Sequence, residues 1–153
     1  MTVNSPSQQA ATAFLSPPLS FVMRLTMAAI GLAVLVLFGV ALALTPDQRG
    51  YGTHEQLGLP PCSFKSAFGY PCPHCGMTTS FSLLVRGRLG AAAQANPSGI
   101  LLGSLLILLV PWSFGTCWTG RWLVTNDPLL WFVRGSVSYV VVTIVLWTLR
   151  TFL

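Results

Sequence analysis

Three long apolar stretches, almost empty of charge, leave this chain little choice of surroundings. Leu25–Leu44 and Gly99–Trp118 are twenty residues each, and Leu129–Leu149 is twenty-one with Arg134 as its one charge. A helix rises 1.5 Å per residue, so each stretch covers the roughly 30 Å hydrocarbon core of a bilayer. The whole chain is only 7% charged, with a mean hydropathy of +0.70. Soluble domains carry roughly 25% charged residues. With so few charges the chain cannot cover a water-facing surface, and the lipid bilayer is its expected partner. The net charge of +5 comes from eight scattered Lys and Arg against three acids. Nucleic-acid binding needs a clustered basic stripe, so nucleic acid is excluded as a partner.

These stretches define an all-α integral membrane protein of three transmembrane helices. Residues 1–23 carry no charged side chain and are rich in Ser, Thr, Gln and Pro. Such a segment buries little and is expected to be disordered, with residues 24–153 forming a single membrane domain. The first span could be confused with a cleaved signal peptide, since Ala41-Leu42-Ala43 resembles a cleavage site. Its apolar run exceeds the usual ~7–15 residues, which argues for a retained span. Pro111 interrupts the second span, a kink that membrane bundles tolerate. The short link Thr119–Pro128 forces the second and third spans into an antiparallel hairpin. Trp118, Trp122 and Trp131 sit near this link, as an aromatic belt would place them, and Trp147 marks the opposite face. Arg134 is close enough to its helix start to snorkel to the interface, and Cys117 is expected simply to pack.

The chemistry lies between the first two spans, in residues 45–98. Met77, Phe81, Leu84, Val85 and Leu89 recur at helical spacing, with Thr78, Thr79, Ser80 and Ser82 on the other side. Thr78 or Thr79 suits the N-cap, Gly87 should break the helix, and Leu89–Ala95 forms a second short piece ending at Asn96-Pro97. Neither piece can cross a bilayer, so the two form an interfacial helical hairpin packed on the spans.

Ahead of this hairpin stands Cys72-Pro73-His74-Cys75-Gly76, with Cys62 ten residues upstream. A C-x-x-C followed by glycine is the shape of a metal knuckle: the glycine lets the backbone turn while two thiolates converge on one ion. Tetrahedral zinc takes four ligands, and Cys62, Cys72, Cys75 and His74 supply a candidate set, with His54 as the other possible imidazole. The same Cys-Pro-His-Cys suits a membrane thiol–disulfide oxidoreductase using Cys72 and Cys75. A thioredoxin-like module, however, needs far more soluble chain than this loop has. A structural disulfide clip or inert packing of the cysteines stays open beside these readings. His54-Glu55 follows an interfacial turn and reads as a solvated pair. No phosphate loop, paired carboxylate site or Ser-His-Asp set can be assembled. The function that fits is a non-enzymatic structural or accessory membrane component whose knuckle binds zinc or is clipped, with other membrane proteins or a second copy as partners.

Cys62, then Gly69-x-x-Cys72-Pro73-His74-Cys75-Gly76-Met77-Thr78, then Arg86-Gly87 and Asn96-Pro97 resemble a bacterial domain-of-unknown-function family of small membrane proteins, marked by C-P-x-C-G-x-T-R with a following R-G and N-P. The resemblance spans about residues 57–112 and implies a helical, multi-pass protein of the bacterial inner membrane, with no established activity. Thr79 stands where that family usually has a basic residue.

Positive charge sets orientation. Arg49, Lys65, Arg86, Arg88 and Arg150 fall on one side of a three-span protein, and Arg24, Arg121 and Arg134 on the other, five against three. This excess places the cysteine loop in the cytoplasm and the N-terminus outside. Reporter fusions at residue 58 and at the C-terminus should both report cytoplasm; periplasmic signals from both would reverse the assignment.

Overall fold

The computed structural model describes residues 18–123 and 127–152, and all of its regular elements are helices. The expected disordered segment therefore lies largely outside the described residues. Three helices are long and apolar enough to cross a membrane: α1 (Phe21–Ala43), α5 (Pro97–Thr119) and α6 (Pro128–Phe152). Between the first two come a 3₁₀ turn (Thr53–Leu57), α2 (Ser63–Phe68), α3 (Met77–Leu84) and α4 (Leu89–Ala95). The chain thus is a membrane protein of multi-pass type, each span a few residues longer than its uncharged run. At α1 the extension has a cause: Ser20 Oγ accepts from the Met23 amide at 3.3 Å and caps the helix ahead of Arg24.

The spans α1 and α5 pack together as an antiparallel pair, clasped at both ends. At the end away from the cysteines, Arg24 Nε donates to the Cys117 carbonyl at 2.8 Å, and the Leu19 amide to the Gly120 carbonyl at 2.8 Å. These bonds satisfy carbonyls that the last turn of α5 would leave unpaired, which matters most where water is scarce. Cys117 thus contributes its backbone, while its thiol remains free.

At the cysteine end, Arg86 performs the same task for α1. Its guanidinium donates to the carbonyls of Ala41 (3.2 Å), Leu42 (2.6 Å) and Leu44 (2.9 Å), and to the Ser82 carbonyl (2.6 Å) and hydroxyl (2.7 Å). Only the planar five-donor fork of arginine can serve so many acceptors at once. The side chain joins the C-terminus of α1 to the C-terminal half of α3.

The hairpin α3–α4 packs on α5 and α3 also touches α1, as expected of a hairpin laid on the spans. Its burial differs from the periodicity. Besides Phe81, Leu83 and Leu84, the polar side chains Thr79, Ser80 and Ser82 are fully buried. Each has a partner: Thr79 Oγ1 meets Thr53 Oγ1 at 2.8 Å, Ser80 Oγ donates to the Asn96 carbonyl at 3.2 Å, and Ser82 Oγ to the Leu44 carbonyl at 2.8 Å. Hydrogen bonds to backbone let a hydroxyl face live inside the fold. Close approach of α5 makes this possible, because a Cβ at Gly99 would stand 2.7 Å from Ser80 Cβ and one at Gly103 2.3 Å from Leu84 Cδ2.

Helix α6 is the least buried of the three spans, with Thr143 its one buried residue, and among the helices its backbone approaches only α5. Its side-chain ties are at the cysteine end: Trp147 Nε1 donates to the Pro71 carbonyl at 2.7 Å, and Arg150 Nη1 to the Ala95 carbonyl at 2.8 Å. At the other end Trp118 and Trp131 are exposed, as a belt residue should be, while Trp122 stacks on Trp112 at 6.0 Å.

Arg86→Gln should destabilise the protein by on the order of 2 kcal/mol, since several charge-assisted bonds to carbonyls vanish together. Arg86→Lys should recover only part of that, because an ammonium cannot reach all five acceptors. Unfolding midpoints in detergent check this, and an unchanged midpoint for Arg86→Gln would refute the clamp.

Candidate metal centre

Two local structures bring three thiols together. Cys62 is the residue ahead of α2, next to the first backbone amides of that helix. Cys72 and Cys75 lie in a tight turn closed by the Cys75 amide on the Cys72 carbonyl at 3.0 Å, followed by the Met77 amide on the His74 carbonyl at 3.0 Å. Gly76 then hands the chain to α3 as its N-cap, so α3 begins at Met77 and the expected threonine caps are not used. Gly76 sits at φ +86°, and a Cβ there would stand 2.5 Å from the Ala95 carbonyl oxygen and 2.6 Å from that of Gly50. Both the backbone angle and the space therefore demand glycine.

The turn is gripped from below by Asn96. Its Nδ2 donates to the carbonyls of Pro73 (3.1 Å) and Cys75 (3.0 Å), while its Oδ1 accepts from the Gly99 amide at 2.9 Å. One buried side chain thus caps α5, with Pro97 at the first helical position, and fixes the cysteine turn on top of it.

The outcome is a group of three sulfurs within 4.8 Å of one another, those of Cys62, Cys72 and Cys75. Cys72 and Cys75 are 3.3 Å apart, and all are free thiols. Four sulfurs at zinc bond lengths of about 2.3 Å stand roughly 3.8 Å apart, so this spacing suits one such ion. The thiols are electrostatically unequal. The Lys65 amide beside it lowers the pKa of the Cys62 thiol, while burial pushes Cys75 up to about 12, with Cys72 and Cys62 adding to the effect. Crowded sulfurs cannot all ionise unaided, and a cation among them would remove that conflict.

The thiols line one wall of a cleft of about 600 Å³. His74 and His54 line it too, but neither joins the set of mutually close donors, and His74 is exposed. His54 Nε2 lies 3.2 Å from the Pro60 carbonyl and so serves as a donor to it. Glu55, expected to be solvated beside His54, instead meets Arg49 at 2.9 Å, and Arg49 also holds Asp47 at 2.7 Å. That guanidinium keeps the Asp47 carboxyl below the usual carboxylate range. In the same cleft the Lys65 ammonium stands 3.3 Å from the Tyr51 ring centroid. Nothing in the sequence assigns Lys65, Tyr51 or Asn96 a role at the cysteines. Asn96-Pro97 is legible as a helix start, but its grip on a turn twenty residues away is not.

Two measurements check this geometry. In metal-free, reduced protein, Cys62 should alkylate ahead of Cys75 near neutral pH. Cys75 should lag and keep accelerating as pH rises toward about 12, because only the thiolate reacts; equal rates would contradict the assignment. Gly76→Ala should cost roughly 3 kcal/mol or more, through a left-handed angle and a carbonyl clash together, read as loss of folded protein in detergent.

The family model described as protein of unknown function (DUF2752) matches residues 62–110, which run from the first of the three cysteines through Arg86 and Asn96 into α5. No curated protein and no solved structure matches. What the chain is similar to is therefore a domain-of-unknown-function family, over the stretch that holds both the thiols and the side chains that position them.

Proposed function

We propose that the loop between the first two spans is a zinc centre, and that the protein is a structural or accessory component of the bacterial inner membrane, with this centre on the cytoplasmic side. The observation that supports the metal is the third thiol. A redox pair needs only Cys72 and Cys75, yet Cys62 arrives from a separate element to within 4.8 Å of both. Thiolate ligands in a tetrahedral set are the preference of zinc, and grouped cysteines in a reducing compartment are more often ligands than disulfides. The ion would join the segment ahead of α2 to the start of α3. His74, standing in the same cleft, is the protein's own candidate for the fourth ligand. The role is then to hold the extended stretch between α2 and α3 in shape on the membrane surface, where it offers a fixed face to other membrane proteins.

The second reading, a thiol–disulfide oxidoreductase, rests on the 3.3 Å between Cys72 and Cys75. The readings part on substitution. For a zinc centre, purified protein should carry about one zinc per chain. Cys62→Ser, Cys72→Ser or Cys75→Ser should each lose the metal and expose residues 58–75 to protease. For a redox pair, Cys75→Ser should instead trap mixed disulfides through Cys72 and leave the fold intact. Elemental analysis with thiol counting decides: three freely alkylated thiols and no metal in the native protein would eliminate the zinc centre.

A further inference from the structure

We propose that the fourth position of this centre is filled from outside the chain, by the thiolate of a small molecule that also carries a carboxylate, which Lys65, lining the same cleft, holds. The proposal rests on the zinc reading above and adds to it the ligand class that the cleft takes.

Four observations lead there. First, the fold preorganises three donors only, and tetrahedral zinc with three protein ligands keeps a position for an incoming group. Second, the two imidazoles in the cleft stand outside that set, His54 with Nε2 engaged by the Pro60 carbonyl and His74 exposed. Third, the cleft measures about 600 Å³, within the roughly 300–1,000 Å³ of small-molecule sites and far more than an ion and one imidazole occupy. Fourth, its wall carries a cation in want of an anion. Among the described residues both ion pairs belong to Arg49, which consumes Asp47 and Glu55, and the Lys65 ammonium faces the Tyr51 ring instead.

Donor chemistry selects the incoming atom. A soft sulfur completes a four-thiolate set, which zinc accepts readily. The thiol would bind as its thiolate with its proton released to solvent, so no oxidant or reductant is needed. Zinc with three thiolates has a net charge of about −1, and a fourth thiolate makes it more negative. Cationic groups beside the site offset that charge, and Lys65 pairs with the ligand's own carboxylate. Lys65 is also tied to the centre through its place in the chain, in the first turn of the helix that Cys62 caps. Ligand and metal would thus be read by the same first turn of α2.

The test uses the full chain in lipid nanodiscs, loaded with cobalt(II), whose visible bands report coordination. The probes are 3-mercaptopropionate, ethanethiol and 3-(methylthio)propionate. We expect 3-mercaptopropionate to shift the bands and to bind roughly tenfold more tightly than ethanethiol, the advantage of one charge-assisted contact. The thioether acid should leave the bands unchanged. Lys65→Gln should abolish the advantage of the mercapto acid while leaving the ethanethiol response intact, which also shows that the variant loads metal. Bands indifferent to both thiols would overturn the proposal, as would equal binding of the two in the native protein. Stripping of cobalt by the thiols would do the same, since a thiolate taken as fourth ligand keeps the ion in place. Failure of cobalt to bind at all would refute the zinc reading itself and this inference with it.

Discussion

The carboxamide of Asn96 is the joint on which the cysteine region is built. Two donor hydrogens hold the carbonyls of Pro73 and Cys75, and the oxygen takes an amide from the start of α5. A buried amide group has few ways to satisfy all its polar atoms, and here they are met by the turn and the helix together. Aspartate would lose both donors and alanine all three bonds. Because Asn96 also begins a membrane-spanning helix, the cysteine turn inherits the rigidity of the span beneath it. The centre is a loop in sequence, yet it stands on the end of a rod.

The same economy recurs wherever a helix meets the membrane surface. Unpaired carbonyls at a helix end are costly where water is scarce. Arg24 answers for α5, Arg86 for α1 and Arg150 for α4, each reaching from a distant part of the chain. These guanidinium groups, exposed as they are, thus serve as ties more than as charges, in a chain that has few charges to spare. Their placement on two opposite ends of the bundle agrees with the two-sided distribution of basic residues along the sequence.

How far the sequence could be read follows from what each signal depends on. The three spans depend only on local apolar length, so their existence and order were legible, with small errors where Ser20 and Asn96 set the starts. The piece Leu89–Ala95 was legible for the same reason, bounded by Gly87 and Pro97. The face of α3 was not. Its hydroxyls look like a wet side by periodicity, but glycines in α5 let that helix come close enough to enclose them. Among the site residues, the three cysteines were found by spacing, and the structure brings them together. His74, between two of them in sequence, is exposed and stands outside the close group, although it lines the same cleft. Arg86 and Asn96 were visible as parts of a motif, but their work is non-local and no pattern in one sequence reveals it.

Helix α6 offers a different kind of consequence. Its ties lie at one end, through Trp147 to the Pro71 carbonyl and Arg150 to the Ala95 carbonyl, while most of its length is bare of protein. Pro71 precedes Cys72, so the indole proton is bonded to the very segment that carries the thiols. Any rearrangement of that segment therefore pulls on one end of a span about 37 Å long at 1.5 Å per residue. The setting of the third span and the conformation of the thiol segment are thus joined through a single indole hydrogen bond.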